Sequence, residues 1–470
     1  MAQLRNFHFC GVGGSGMLPL AAIVRATGAH VTGSDRALDA GRLAGKFDYL
    51  RALGIDLFAQ DGSGLAPGAT LVTSAAVENT IPDVVRAAEL GLPHVTRPQL
   101  LAQLLNAAPT SVAVGGTSGK STVTGMIGWM LHVMNRRPTV MNGAVMKNFV
   151  SPQTPFASAL VGDPDLFVSE VDESDGSIAL YRPTVAVLGN ISLDHKSMDE
   201  LRDLFAGFLG AALKAVVNLD DPEARATAER LDPAKVIGFG LDSDGATLRG
   251  RSLELAPDGA RFVLSVGGDQ HQVRLSVPGR HNAMNALAAL GAIHALGFPL
   301  DEAVVALAGF AGLKRRLETV GTARDITVID DFGHNPDKIA ATLATLTAQP
   351  GRLLVMFQPH GFGPIAKMGN ELAHTFADGL RDGDRLYLSD PVYQGGTVDR
   401  SRGSDWLAAA VREAKGDALH VPDRGAIAEA LLREALPGDR IAILGARDDT
   451  LSEFALDLVS RLGTDRPSAD

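Results

Sequence analysis

The sequence predicts an α/β fold with mainly parallel sheets, set out in three successive stretches. Short apolar runs of strand length alternate with helix-like stretches along the whole chain. That order buries parallel strands beneath crossover helices. Glycine is abundant, at 52 residues, and aromatic residues make up only 5%, a balance suited to many tight strand-to-helix turns. The 470 residues leave room for two to four domains at roughly 100–200 residues each.

The first stretch spans residues 1–107. An apolar run at 7–10 leads into a glycine turn and a helix-like segment over 18–27. Residues 30–32 read as the next strand, ending at Gly33-Ser34-Asp35, and 71–73 as a later one. The second stretch spans 108–312. Residues 111–114 are strand-like and run into Gly115-Gly116-Thr117-Ser118-Gly119-Lys120-Ser121, followed by a helix pattern from 122 to 134. Apolar runs at 166–171 and 185–188 each end in polar residues. Residues 243–274 alternate and are rich in Gly and Asp, so they read as a β insertion. Pro278-Gly279-Arg280-His281-Asn282 then introduces an alanine-rich helix over 283–295. In the third stretch, 313–470, runs at 327–329, 353–357, 385–388 and 441–444 are spaced like strands of a smaller α/β domain. The polar tail after 464 reads as a frayed end.

Composition narrows the function. The chain is 46% hydrophobic and 21% charged, which excludes a disordered protein. Lys and Arg number 43 against 54 Asp and Glu, a net charge of −11. An acidic chain without a long basic run is not built to hold nucleic acid non-specifically, although a local basic pocket for an anionic substrate fits. The single cysteine, Cys10, rules out an intrachain disulfide and a cysteine-only metal site and is expected to be packed in the core. No apolar run reaches the ~18–20 residues that span a bilayer, and the first residues lack a signal-peptide layout. The expectation is a soluble cytoplasmic protein, monomer or homodimer, with no nucleic acid and no membrane insertion.

The sharpest motif is Gly116-Thr117-Ser118-Gly119-Lys120-Ser121 between a strand and a helix. Glycines let backbone N–H groups approach phosphate oxygens, and the helix start adds its positive dipole end. Lys120 would reach the β- and γ-phosphates and Ser121 would sit on Mg²⁺. Val114 stands where the longer Walker pattern has its first glycine, so the loop is a short variant. The bland alternative is a glycine turn with a solvated lysine. A second glycine turn, Gly11-Val12-Gly13-Gly14-Ser15-Gly16, follows a strand and precedes Asp35 by about twenty residues. It reads as a seat for a nucleotide diphosphate, for NAD, or as close helix packing. Glu170-Val171-Asp172-Glu173-Ser174-Asp175 ends an apolar run beside the phosphate loop. Its carboxylates suit a hard cation such as Mg²⁺, the alternative being a solvated acidic turn. His195, closing Asn190-Ile191-Ser192-Leu193-Asp194-His195, would be a metal ligand, a phosphate contact or a structural histidine.

These residues, with Pro278-Gly279-Arg280-His281-Asn282-Ala283-Met284-Asn285 and Asp330-Asp331-Phe332-Gly333-His334-Asn335-Pro336, resemble the Mur ligase family of peptidoglycan synthesis in order and over nearly the whole chain. Gly-Val-Gly-Gly-Ser-Gly-Met and Asp-Glu-Ser-Asp are most similar to the branch that adds L-alanine. The Ala-Lys pair that other branches carry downstream of the histidine is missing from the matching stretch. The resemblance implies three domains: a Rossmann-like N-terminal domain at 1–107 for the UDP-sugar, a central P-loop ATPase domain at 108–312 and a Rossmann-like C-terminal domain at 313–470 for the amino acid. It implies that ATP activates the carboxylate of UDP-N-acetylmuramate as an acyl phosphate, which L-alanine or another amine then attacks. It places Gly116, Thr117, Ser118, Gly119, Lys120, Ser121, Thr122, Asn282, Asn285, Arg316 and Asp331 around ATP. Asn282 and Asn285 would face the adenine, Asp331 the ribose and Arg316 the phosphates, with His281 near substrate. Ser121, Glu170 and His195 would hold Mg²⁺, and Lys120, Glu170, His195 and Arg316 would carry the chemistry. Gly11, Gly13, Gly14, Ser15, Gly16, Asp35 and Ser74 would hold the UDP-sugar, and His334, Asn335, His360 and Arg447 the amino-acid side. Simple alternatives are a surface Arg316 or Arg447 and an Asn282 that only caps its helix.

The chain also departs from that pattern. Ser118 and Ser121-Thr122-Val123 replace the usual His and threonine run, and His334-Asn335-Pro336 replaces His-His-Pro. Gly361 stands where an arginine follows Phe357-Gln358-Pro359-His360, Lys367-Met368-Gly369 resembles the ligase that recycles murein tripeptide, and Gly445-Ala446-Arg447-Asp448-Asp449 matches neither branch. Three other readings compete: the same chemistry on another amine, a silent nucleotide-binding regulator and an NAD-dependent dehydrogenase. The last leaves Lys120, Glu170 and His195 without a purpose.

Overall fold

A computed structural model of the chain describes residues 6–75, 77–193, 196–392, 399–446 and 448–464. It forms two compact units, Met1–Gly312 and Leu313–Asp470.

The first unit holds two sheets. The smaller contains β1 (Asn6–Cys10), β2 (His30–Ser34), β3 (Asp56–Phe58), β4 (Thr70–Thr73) and β5 (His94–Thr96), all parallel, in the order β3-β2-β1-β4-β5. The strand order reverses between β1 and β4. In open α/β sheets the crevice at such a switch point, beyond the carboxyl ends of the strands, is where ligands bind. β1, β2 and β4 are buried along almost their whole length, which is why they read as apolar runs. β3 and β5 have three residues each and are largely exposed, so no apolar run announces them.

The larger sheet contains β6 (Thr110–Gly115), β7 (Pro138–Met141), β8 (Ala159–Leu160), β9 (Asp163–Glu170), β10 (Val185–Leu188), β11 (Lys214–Asn218), β12 (Val236–Gly240), β13 (Leu248–Ala256), β14 (Gly259–Val266) and β15 (Asp269–Leu275). Their order is β15-β14-β13-β12-β11-β10-β6-β9-β7-β8. β6 lies between β9 and β10 and is parallel to both. The expected β insertion is the antiparallel run β13-β14-β15 at one edge. One apolar cluster runs through both sheets, from Leu20 and Val31 to Phe167, Phe205 and Phe208. Two helices start earlier than their sequence pattern, at Lys120 and Arg280, which brings Lys120, His281 and Asn282 into first turns. Cys10 is fully buried, and burial, then the Asp83 charge, pushes its thiol up to about 12, so it is an inert core residue.

The second unit has one sheet of β16 (Glu318–Ala323), β17 (Ile326–Asp331), β18 (Leu353–Gln358), β19 (Arg385–Leu388), β20 (Ala418–His420) and β21 (Arg440–Gly445), ordered β16-β17-β21-β18-β19-β20. Only β16 is antiparallel to its neighbour. Alternate residues of one strand enter different cores: Val355 and Phe357 one, Leu354 and Met356 the other, as the two-residue period requires. Among the described residues no helix is long and apolar enough to cross a membrane.

Candidate active site

β6 delivers the chain into the glycine loop, and the helix Lys120–Val133 leaves it. Gly119 caps that helix at φ +85°, a left-handed conformation that glycine adopts without steric cost. The first helical bond is Val123 N–H to Gly119 O. The N–H groups of Lys120, Ser121 and Thr122 therefore stand at the helix end with no helical acceptor, where phosphate oxygens bind. Thr117 and Ser118 are held from within the chain. Their N–H groups donate to Asn190 O at 3.1 Å and Asn190 Oδ1 at 2.8 Å, and Asn190 Nδ2 donates back to Ser118 O at 3.1 Å. Thr117 Oγ1 donates to Ser192 O at 3.2 Å. The segment after β10 thus clamps the loop, and these two backbone donors hold its shape.

The charged groups converge from β9. Lys120 Nζ donates to Glu173 Oε2 at 2.8 Å and to Gly116 O at 2.6 Å. Ser121 Oγ donates to Glu170 Oε2 at 2.6 Å, and the buried Asn142 donates from Nδ2 to Ser121 O at 2.9 Å. A Cβ on Gly143 would overlap Glu170 Oε1, so the carboxylate occupies a cradle that only glycine leaves open. Burial raises the Asp172 carboxyl, but the Ser174 N–H and then Lys120 outweigh it and hold it below its usual range. The hydroxyl of Ser121 and the carboxylate of Glu170 form a hard oxygen pair that fits Mg²⁺. Among the described residues no group of three or more His, Cys, Asp or Glu side chains is arranged as a metal site. His195 lies outside the described residues.

On the opposite flank, the helix Arg280–Ala295 presents Asn285 to the loop. A Cβ on Gly119 would come within 2.5 Å of Asn285 Oδ1, so Asn285 sits against the phosphate loop itself. Asn285 Nδ2 donates to Asn282 Oδ1 at 3.2 Å, and Asn282 Nδ2 donates back to Pro278 O at 2.7 Å. The residue at the cap is Gly279, not Asn282.

The glycine turn of the smaller sheet sits at the switch point, after β1 and beside Ser74, which follows β4. Gly11 and Val12 N–H groups donate to Ser34 O, and Gly13 N–H donates to Asp35 Oδ2 at 2.9 Å. Asp35 Oδ1 also caps the next helical turn through Ala37 N–H at 2.8 Å. Asp35 therefore holds the glycine turn through one oxygen and starts the next helix through the other. Gly14 and Ser15 are exposed and, with Gly16, form the mouth of the helix Met17–Ala26.

In the second unit, the Arg316 guanidinium lies 4.7 Å over the Phe332 ring, while Arg315 is buried and donates to Asp448 O and Gly445 O. Asp331 is buried and accepts from Leu317 N–H, Gly333 N–H and Thr342 Oγ1 at 2.8, 3.0 and 2.8 Å. With three protein donors on it, the carboxylate positions the turns on either side of β17. Asn335 likewise caps the helix Pro336–Thr347 through Lys338 N–H at 3.0 Å. His334 and His360 do come together, with ring centroids 5.1 Å apart and nearly perpendicular. Burial, followed by the Lys338 charge, pushes His334 far below the usual imidazole range. His334 Nδ1 lies 2.8 Å from Phe332 O. A carbonyl only accepts, so Nδ1 carries the proton and Nε2 offers a lone pair. Gly361 takes φ +139°, a conformation that strains an arginine, and Gly369 is where its helix meets the Trp406 ring. Both departures have local backbone or packing causes. Arg447 lies outside the described residues.

Three family models match the chain in succession: "Mur ligase family, catalytic domain" over 6–108, "Mur ligase middle domain" over 114–293 and "Mur ligase, glutamate ligase domain" over 315–447. A relative from Mycolicibacterium vanbaalenii, named UDP-N-acetylmuramate–L-alanine ligase, is 35% identical over 96% of this chain and 95% of its own. The chain belongs to the Mur ligase family. Its fold is shared with the UDP-N-acetylmuramate-alanine ligase of Thermotoga maritima, with a TM-score of 0.80 at 24% identity over 97% of this chain and 98% of that one. The murein peptide ligase of Psychrobacter arcticus is similar with a TM-score of 0.69 at 25% identity, over 98% and 99% of the two chains.

This Mur ligase contains functional groups that the sequence motifs do not single out. Asn190 belongs to a quoted motif, but its role as the clamp needs the pairing of β6 with β10. Asn142 and Gly143 follow β7 and carry no motif. Glu173 is one of four acids within six residues, and nothing local says that it, and not Asp172, meets Lys120.

Proposed function

We propose that this Mur ligase joins the carboxylate of UDP-N-acetylmuramate to L-alanine, with ATP as the phosphoryl donor. The convergence of Lys120, Ser121, Glu170 and Glu173 at the carboxyl ends of β6 and β9 carries the reading. The name of the 35%-identical relative supports the substrates. Residues 1–107 would hold the sugar nucleotide through Gly11, Gly13, Gly14, Ser15, Gly16, Asp35 and Ser74. Residues 108–312 would hold ATP, and 313–470 the amine.

The muramate carboxylate attacks the γ-phosphorus, forming an acyl phosphate and releasing ADP. The amine nitrogen then attacks the acyl carbon, phosphate departs with the C–O bonding pair, and the amide remains. Phosphoryl transfer of this kind needs positioning and charge neutralisation above all. Lys120 and the N–H groups of the first helical turn bind and orient the phosphates. Ser121 and Glu170 would hold Mg²⁺, which when bound neutralises phosphate oxygens. Asn285, against Gly119, closes the adenine-side flank of the loop. His334 keeps a neutral imidazole whose Nε2 accepts a hydrogen bond and orients the amine.

The same chemistry with a recycled murein tripeptide is the second reading, favoured by the likeness to the murein peptide ligase and by Lys367-Met368-Gly369. The test is phosphate release from ATP with UDP-N-acetylmuramate and each amine in turn, with the product identified by mass. Release with L-alanine alone supports the first reading. Release with the tripeptide alone moves the substrate, and no release with any amine overturns both.

A further inference from the structure

Arg97 is the first residue of the helix Arg97–Ala107, directly after β5. Its place is fixed by a capping box between Thr96 and Gln99 and by the buried Pro98 behind it. The side chain lies across the glycine turn. A Cβ on Gly16 would stand 3.1 Å from Arg97 Cδ, 3.3 Å from Nη1 and 3.4 Å from Nε. Gly16 is thus small enough to let the guanidinium lie over the turn, a second reason for glycine there besides the backbone. Arg97 is partly buried, yet among the described residues it makes no ion pair or hydrogen bond. A guanidinium presents five donors in a fixed fork that matches phosphate oxygens. Here that fork lies over an exposed glycine turn at the switch point of a parallel sheet.

We propose that Arg97 is the side-chain cation of the sugar-nucleotide site and binds the diphosphate laid across the turn at residues 11–16. This rests on the reading of that turn as the sugar-nucleotide seat. The diphosphate is chosen over the muramate carboxylate because the guanidinium lies within van der Waals reach of Gly16, on the turn itself. The donors that remain at the mouth of the helix Met17–Ala26 would meet the same phosphates from below.

The test is calorimetric titration of the full chain, wild type and Arg97→Ala and Arg97→Lys, with UDP, UMP, UDP-N-acetylmuramate and ADP. Removing one partner of a charge-assisted pair is expected to weaken UDP and UDP-N-acetylmuramate alike, by about 10–100-fold. Arg97→Lys should retain part of the affinity, since it keeps the charge and loses the fork. UMP, with one phosphate fewer, should change less, and ADP should not change. UDP affinity within twofold of wild type in either variant overturns the proposal. So does a loss confined to UDP-N-acetylmuramate, which would assign Arg97 to the carboxylate. A wild-type chain that binds ADP but neither UDP nor UDP-N-acetylmuramate overturns the sugar-nucleotide reading itself. If Arg97→Ala does not fold, as judged by its melting curve, Arg97→Lys decides alone.

Discussion

The ammonium of Lys120 lies 2.8 Å from Glu173 Oε2, across the gap between the phosphate-loop helix and the segment after β9. The pair is largely shielded, with side-chain exposures of 19% and 5%. Phosphate oxygens would compete with Glu173 for the same three N–H donors. Lys120→Ala is expected to lower turnover by ~10²-fold or more, the scale for losing a preorganised charge stabiliser. Glu173→Gln keeps a hydrogen-bond acceptor and removes the competing charge, so the KM for ATP should fall severalfold. Steady-state ATP titrations check both. A higher KM in Glu173→Gln would mean that the carboxylate serves the nucleotide instead of competing with it.

Gly143→Ala places a methyl group on the ground held by Glu170 Oε1. Glu170 must rotate away from Ser121, although Gly143 itself is exposed and its backbone is not strained. If Glu170 holds Mg²⁺ as proposed, displacing it through its surroundings costs about 10–100-fold. The Mg²⁺ concentration for half-maximal activity should therefore rise by about tenfold or more, with the melting temperature nearly unchanged. An unchanged Mg²⁺ requirement would remove Glu170 from the metal site.

Asn190→Ala removes both side-chain bonds to Ser118 while leaving the backbone bond to Thr117. Two partly buried hydrogen bonds are worth about 1 kcal/mol each. The loop should loosen and ATP affinity should drop by about tenfold, read as the Kd of ADP or a non-hydrolysable ATP analogue. Equal affinity in the variant would show that the loop holds its shape without the clamp.

His334 supplies a pH dependence of stability. Burial holds its folded-state pKa far below the unfolded value near 6.5. As pH falls below about 6.5 the unfolded chain takes up a proton that the folded chain refuses, so stability declines with falling pH. Wild type should lose up to about 1 kcal/mol per pH unit more than His334→Gln between pH 6.5 and 5. Urea denaturation of both proteins at several pH values gives the difference directly, and parallel profiles would place a charged imidazole in the folded state.

Much of this protein is legible in sequence because the signals are local. Strands buried on both faces read as apolar runs, and β6, β9, β10, β17, β18, β19 and β21 are all found that way. The phosphate loop is contiguous, so its glycines, Lys120 and Ser121 stand together on the page as they do in space. Exposed three-residue strands such as β3 and β5 carry no such signal. The same residue types also serve two ends: Asp331 and Asn335 read as ligand contacts, and the fold also uses them, Asp331 to hold the turns around β17 and Asn335 to cap a helix.

What the sequence determined by itself was the order of elements, the strand-loop-helix placement of the glycine loop with Lys120 and Ser121, and the family. The partners across the site were decided by tertiary structure alone. Val114 pairs with Glu170 in the β6–β9 register, and that pairing sets Ser121 against Glu170 and Lys120 against Glu173. A shift of one residue would turn those side chains to the other face. The same dependence on neighbouring strands brings Asn190 to Ser118, Gly143 to Glu170 and Arg97 to Gly16. These contacts join residues tens of positions apart, so they exist only once the parallel sheets have closed their register around a shared core.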